Sequence, residues 1–68
     1  MVNANLLRGK MVSNGYTQDS LARKMKISKN TLSAKINGKS QFDLEEVLLL
    51  CELLSITSND EKCNIFLS

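Results

Sequence analysis

Residues 20–38 read SLARKMKISKNTLSAKING, and where this stretch is divided decides the fold. A small amphipathic segment runs directly into a Lys/Asn/Ser-rich one, with no Pro or Gly between them. Apolar residues recurring every three to four positions mark helices, so the pattern predicts two short helices joined by about three residues. The first spans about Thr17 to Met25, with Thr17 as N-cap, and puts Leu21, Ala22 and Met25 on one side. The small side chain of Ala22 lets another helix cross closely. The second is capped by Ser28, runs to about Asn37 and is closed by Gly38. Within it Leu32 and Ile36 lie four apart and face the core. At about 100° per residue, Asn30, Ser33, Ala34 and Asn37 fall opposite that stripe, with Lys29 and Lys35 on its flanks. That face carries no large apolar group.

Working outward, a helix from about Asn3 to Asn14 precedes the pair, with Leu7 and Met11 inward and Asn14-Gly15 as a left-handed stop. A fourth helix, about residues 43–54, follows it. In FDLEEV, Asp43 and Glu46 have the spacing of a capping box, and Phe42 can close on Val47 as a hydrophobic staple. Leu44, Val47, Leu48 and Cys51 are its expected core stripe. Leu49, Leu50, Leu53 and Leu54 widen the apolar surface beyond one stripe, which points to a partner surface. Leu50, Leu53 and Leu54 are therefore assigned to an interface with a second copy. Ser58 with Glu61 caps one last short turn in segment 58–68. The apolar end at Ile65 and Phe66 docks either on the core or on the second subunit, and dimerisation is the expected role.

The chain has 68 residues, which predicts one domain near the lower size limit for a self-sufficient core, with no room for a second catalytic or ligand-sensing domain. Hydrophobic residues are 43% and charged residues 24%, the mix of a soluble globule. No apolar run approaches the ~18 residues of a membrane span, so the expected location is the cytoplasm. There is no repeat, linker or low-complexity stretch, and no sustained alternation that would build a sheet. Two cysteines, Cys51 and Cys63, with no histidine, support neither a zinc site nor a disulfide scaffold. Neither a cofactor nor a small-molecule effector is expected. The net charge of +2 hides a polarity along the chain. Residues 1–41 hold eight Lys/Arg against one acid, a balance of +7, whereas residues 42–68 hold one Lys against six acids, a balance of −5. One half suits an anionic partner.

Two short helices joined by about three residues, small inside and polar outside, have the arrangement of a helix-turn-helix. The stretch TQDSLARKMKISKNTLSAKINGKSQF resembles the helix-turn-helix family of lambda-repressor-like and Cro-like phage regulators, and the likeness covers about residues 5–56. The resemblance implies an all-α, four- to five-helix DNA-binding domain with a central helix-turn-helix at about residues 17–37. It also implies that Gln18 approaches a phosphate and braces the recognition helix. Ser28, Lys29, Asn30, Ser33 and Ala34 would occupy base-facing positions, and Asn37 with Lys39 would grip the backbone from the following loop. Two departures stand out. Lys26 replaces the Gly usual in the turn, where a left-handed backbone would cost it roughly 1 kcal/mol. Lys35 replaces an aliphatic residue, with its stem along the surface and its amine on a phosphate.

The chemistry of these residues agrees with that placing. The major groove admits one α-helix, Lys can donate to guanine O6 or N7, and Asn matches adenine's paired donor and acceptor. Ser33 can read several base edges, and the methyl of Ala34 can meet that of thymine. Arg23, Lys24, Lys26, Lys35 and Lys39 suit phosphates, which supply affinity without base information. The competing account is a merely solvated helix start. The expected function is thus a regulator on a palindromic operator, a homodimer that represses by occupying a promoter. The alternative is a protein-interaction module of the same fold, such as an antitoxin or antirepressor, against which the basic face argues because protein interfaces favour aromatic anchors. An enzyme is not expected, because the chain has neither histidine nor a Gly-rich phosphate loop.

Overall fold

The computed structural model describes residues 2–67 and contains five helices, with no strand among the described residues. They are α1 (Ala4–Ser13), α2 (Gln18–Met25), α3 (Lys29–Ile36), α4 (Leu44–Leu53) and α5 (Asn59–Phe66). None is long and apolar enough to cross a membrane. The all-α helix-turn-helix architecture predicted from the sequence is the one found.

Each helix starts on a side chain that accepts from a backbone N–H of the first turn. Asn3, Thr17, Ser28, Asp43 and Ser58 fill this role in order, and such caps contribute about 1 kcal/mol each. Asp43 and Glu46 form the reciprocal box expected, with bonds of 2.8 and 2.9 Å. Thr17 forms a second box with Ser20, which the spacing of Glu or Gln alone did not predict.

The first four helices also stop alike. A residue in the left-handed region follows each, Gly15 (φ 76°), Lys26 (φ 60°), Gly38 (φ 82°) and Ser55 (φ 56°). The next residue then donates its N–H back to a carbonyl five positions earlier, from Tyr16 to Met11, Ile27 to Ala22, Lys39 to Ala34 and Ile56 to Cys51. This six-to-one bond satisfies a carbonyl the helix leaves open and turns the chain sharply. Two of the four positions, Lys26 in the α2–α3 turn and Ser55 after α4, are occupied by residues with a Cβ, which makes the left-handed backbone costlier there than at glycine.

The core is made from all five helices and the α4–α5 turn. Leu7 and Met11 of α1 meet Leu21, Ala22 and Met25 of α2, Leu32 and Ile36 of α3, Leu50 and Cys51 of α4, Leu54 and Ile56 beyond it, and Ile65 of α5. Helices α2 and α3 pack closely, as the small Ala22 allows. The N-terminus is tied to α5 by the bond from Asn3 N to Ile65 O, 2.6 Å, and the end of α1 to the end of α4 by Asn14 Nδ2 to Leu54 O, 2.9 Å.

Three expectations are corrected here. The buried side of α4 is centred on Leu50, Cys51 and Leu54, while Leu44 and Leu48, expected in the core stripe, are exposed at 73% and 56%. With nearly every position of α4 apolar, periodicity alone does not orient it. Leu50, Leu54 and Ile65, expected at a dimer interface, are shielded inside the monomer. Leu53 and Phe66 are half-buried against the same core, and the Phe66 ring meets Phe42 edge-on at 6.3 Å. Finally, the last segment is an eight-residue helix, α5, rather than a single turn.

Candidate nucleic-acid interface

The candidate surface is built on α3 and its flanks. Lys29 and Asn30 form the first turn of α3, are exposed, and have no side-chain hydrogen bond among the described residues. The donors and acceptor expected to meet base edges are thus unoccupied among the described residues. Ser28 stands immediately before them, but its hydroxyl accepts from Thr31 N at 3.0 Å and donates to Thr31 Oγ1 at 2.8 Å. It caps the helix, and its proton is already engaged. Ser33 and Ala34 are half-buried one turn later. Ser33 Oγ accepts from Asn37 Nδ2 at 3.4 Å, and Ala34 O accepts from the backbone of Lys39 and Ser40. The small side chains leave the middle of this face low.

The phosphate candidates divide. Gln18 is half-buried at the first position of α2, Lys26 is exposed in the turn, and Lys39 is exposed just past α3. Asn37 is the C-cap of α3. Lys35 is not a free cation. Its Nζ sits 2.5 Å from both carboxylate oxygens of Glu46, with each side chain only 16% exposed, and 6.0 Å from the centre of the Phe42 ring. The reason lies in α4, where the N-terminal box holds Glu46 in place through Asp43 N, so the carboxylate meets Lys35 ready-positioned. The expected phosphate contact of Lys35 is therefore replaced by a bridge that fixes α3 to α4.

Ion pairs divide the cations of the positive half of the chain. Lys10 pairs with Glu61, Arg23 with Asp19 at 2.6 Å and Lys35 with Glu46. The Arg23 pair is exposed and spans one helical turn, so it is worth only about 0.3–0.5 kcal/mol and yields readily to a stronger anion. Arg8, Lys24, Lys26, Lys29 and Lys39 are exposed with no acidic partner among the described residues. Lys24, Lys26 and Lys29 bracket the start of α3, and Lys39 lies beyond its end. Arg8, absent from the sequence-derived set, lies beside that end because its Nη2 donates to Asn37 Oδ1 at 2.9 Å. Its position on α1 gave no sign of this, since the contact joins residues 29 apart in the chain.

Elsewhere, Cys51 is buried and Cys63 exposed, and both are free thiols. A model of the family described as helix-turn-helix matches residues 7–60. No curated protein and no solved structure matches the chain.

Proposed function

The chain belongs to the lambda-repressor/Cro-like helix-turn-helix family of DNA-binding regulators, and from that premise we propose that it reads a specific double-stranded site with α3 in the major groove. The observation that carries this is the pair Lys29 and Asn30, exposed and unpartnered at the start of α3. Helix-turn-helix domains contact base edges with the N-terminal residues of the second helix. Lys29 and Asn30 read bases, while Ser33 and Ala34 allow close approach. Ser28 contributes its backbone N–H, its hydroxyl being held by the cap. Lys24, Lys26 and Lys39 neutralise phosphates, and the open N–H groups at the start of α2, beside Gln18, add donors to the backbone.

The protein acts as a Cro-like phage or prophage repressor, occupying a promoter as a two-fold dimer on a palindromic operator. Leu44 and Leu48, exposed and four apart on α4, support the dimer in place of the leucines buried inside. In a two-fold contact the same patch meets itself.

Selection from a random duplex library at near-physiological salt, followed by sequencing, tests the reading. The expected product is an inverted repeat with half-sites about 10 base pairs apart or a multiple of the helical turn. A single enriched half-site would remove the dimer and keep the recognition helix. Retention without enrichment, fading as salt rises, would leave only non-specific attraction and sink the operator. Leu48→Glu is expected to stay folded and to sediment as a monomer; a parent that already sediments as a monomer, on and off DNA, would sink the dimer.

A further inference from the structure

Arg8 is the one cation of α1 without a carboxylate partner among the described residues, since Lys10 on the same helix is paired with Glu61. Its side chain is nonetheless held in place. Nη2 donates to Asn37 Oδ1 at 2.9 Å, and Asn37 Nδ2 in turn donates to Ser33 Oγ at 3.4 Å. A guanidinium carries five N–H donors in a planar fork. A neutral amide oxygen occupies one of them and cancels none of the charge. Arg8 is exposed, and no other bond of its fork is formed among the described residues, beside the end of α3 from which Lys39 also departs.

We propose that Arg8 is a DNA-backbone ligand, aimed by Asn37, that takes one phosphate at the C-terminal end of α3 opposite Lys39. The proposal rests on the DNA-binding reading above and assigns it a contact from outside the helix-turn-helix. A phosphodiester presents two free oxygens, which the open edge of an arginine fork matches in geometry as well as charge. Asn37 is then a positioning residue: it holds the fork, and its bond to Ser33 links that grip to the base-facing side of α3.

The test compares the parent with Arg8→Ala, Arg8→Lys and, as a control on the same helix, Lys10→Ala. Binding is measured between 50 and 200 mM salt on the selected duplex and on a scrambled one, and melting curves check the fold. Each neutralised phosphate contributes about 0.9 to the slope of log affinity against log salt. Arg8→Ala is expected to flatten the slope by about 0.9 on both duplexes, so that the parent's advantage shrinks by about 3.5-fold across that range. Arg8→Lys is expected to restore the slope, and Lys10→Ala to leave it unchanged. A folded Arg8→Ala protein with the parental slope would overturn the phosphate contact and leave Arg8 as a brace between α1 and α3. A parent that binds neither duplex would overturn the DNA reading itself and this contact with it.

Discussion

Helix α3 buries an aliphatic pair four residues apart, Leu32 with Ile36, and α4 with its C-cap buries another, Leu50 with Leu54. What they leave outside differs. Helix α3 turns Lys29 and Asn30 outward, whereas α4 turns out Leu44 and Leu48. On α3 the contrast between inside and outside is chemical, so the apolar stripe alone orients the helix. On α4 leucines stand on both sides, and the packing of the other helices chooses among them. The outer face of α3 suits a polar, charged partner, and that of α4 an apolar one. The bridge between Lys35 and Glu46 joins the two helices.

The largest effect expected from this comparison is on α4. Leu50→Ala should cost about 2–5 kcal/mol of folding stability through lost burial and the cavity left behind, while Leu48→Ala, measured at a protein concentration low enough to hold the chain monomeric, should stay within about 0.5 kcal/mol. Denaturant titration of both decides it, and a larger loss for Leu48→Ala than for Leu50→Ala would mean that the helix is turned the other way. On α3, Asn30→Ala should leave folding intact and cost about 1–3 kcal/mol of binding at the selected site, with preference relaxed at one base pair. A loss spread evenly over unrelated sequences would instead make Asn30 a backbone contact.

The left-handed helix ends give a smaller effect of opposite sign. Ser55→Gly should stabilise the fold by roughly 1 kcal/mol, because glycine accepts the positive φ without a Cβ clash. Lys26→Gly should give a similar gain together with a salt slope flatter by about 0.9, as one phosphate contact is lost. A thermal melt and a salt titration of each variant separate the two contributions. The finest distinction concerns the lysines around α3. Lys39→Ala should flatten the slope by about 0.9, and Lys35→Ala should leave it unchanged, because Glu46 already neutralises that amine. A flattened slope for Lys35→Ala would show that the bridge opens on DNA.

Much of this architecture is written in local chemistry. Thr17, Ser28, Asp43 and Ser58 each announce a helix start, because a short side chain with an accepting oxygen satisfies N–H groups only a few residues away. Gly15 and Gly38 announce two stops in the same way. The conformation at Lys26 was not legible: a Cβ disfavours a positive φ, and only the structure shows the lysine in the left-handed region. The orientation of α3, and with it the outward placing of Lys29 and Asn30, followed from the spacing of Leu32 and Ile36.

What the chain by itself determined, then, is the first four helices, the caps that start α2 to α5, the stops at Gly15 and Gly38, the face of α3 and the positive character of the first 41 residues, since all of these depend on neighbours within a turn or on simple addition of charge. Only the tertiary structure decided which leucines of α4 are inside, that Lys35 pairs with Glu46 and that Arg8 reaches the end of α3. Burial and pairing of this kind depend on groups distant in sequence meeting at angstrom distances. That geometry is set by how five helices pack together, and no local pattern records it.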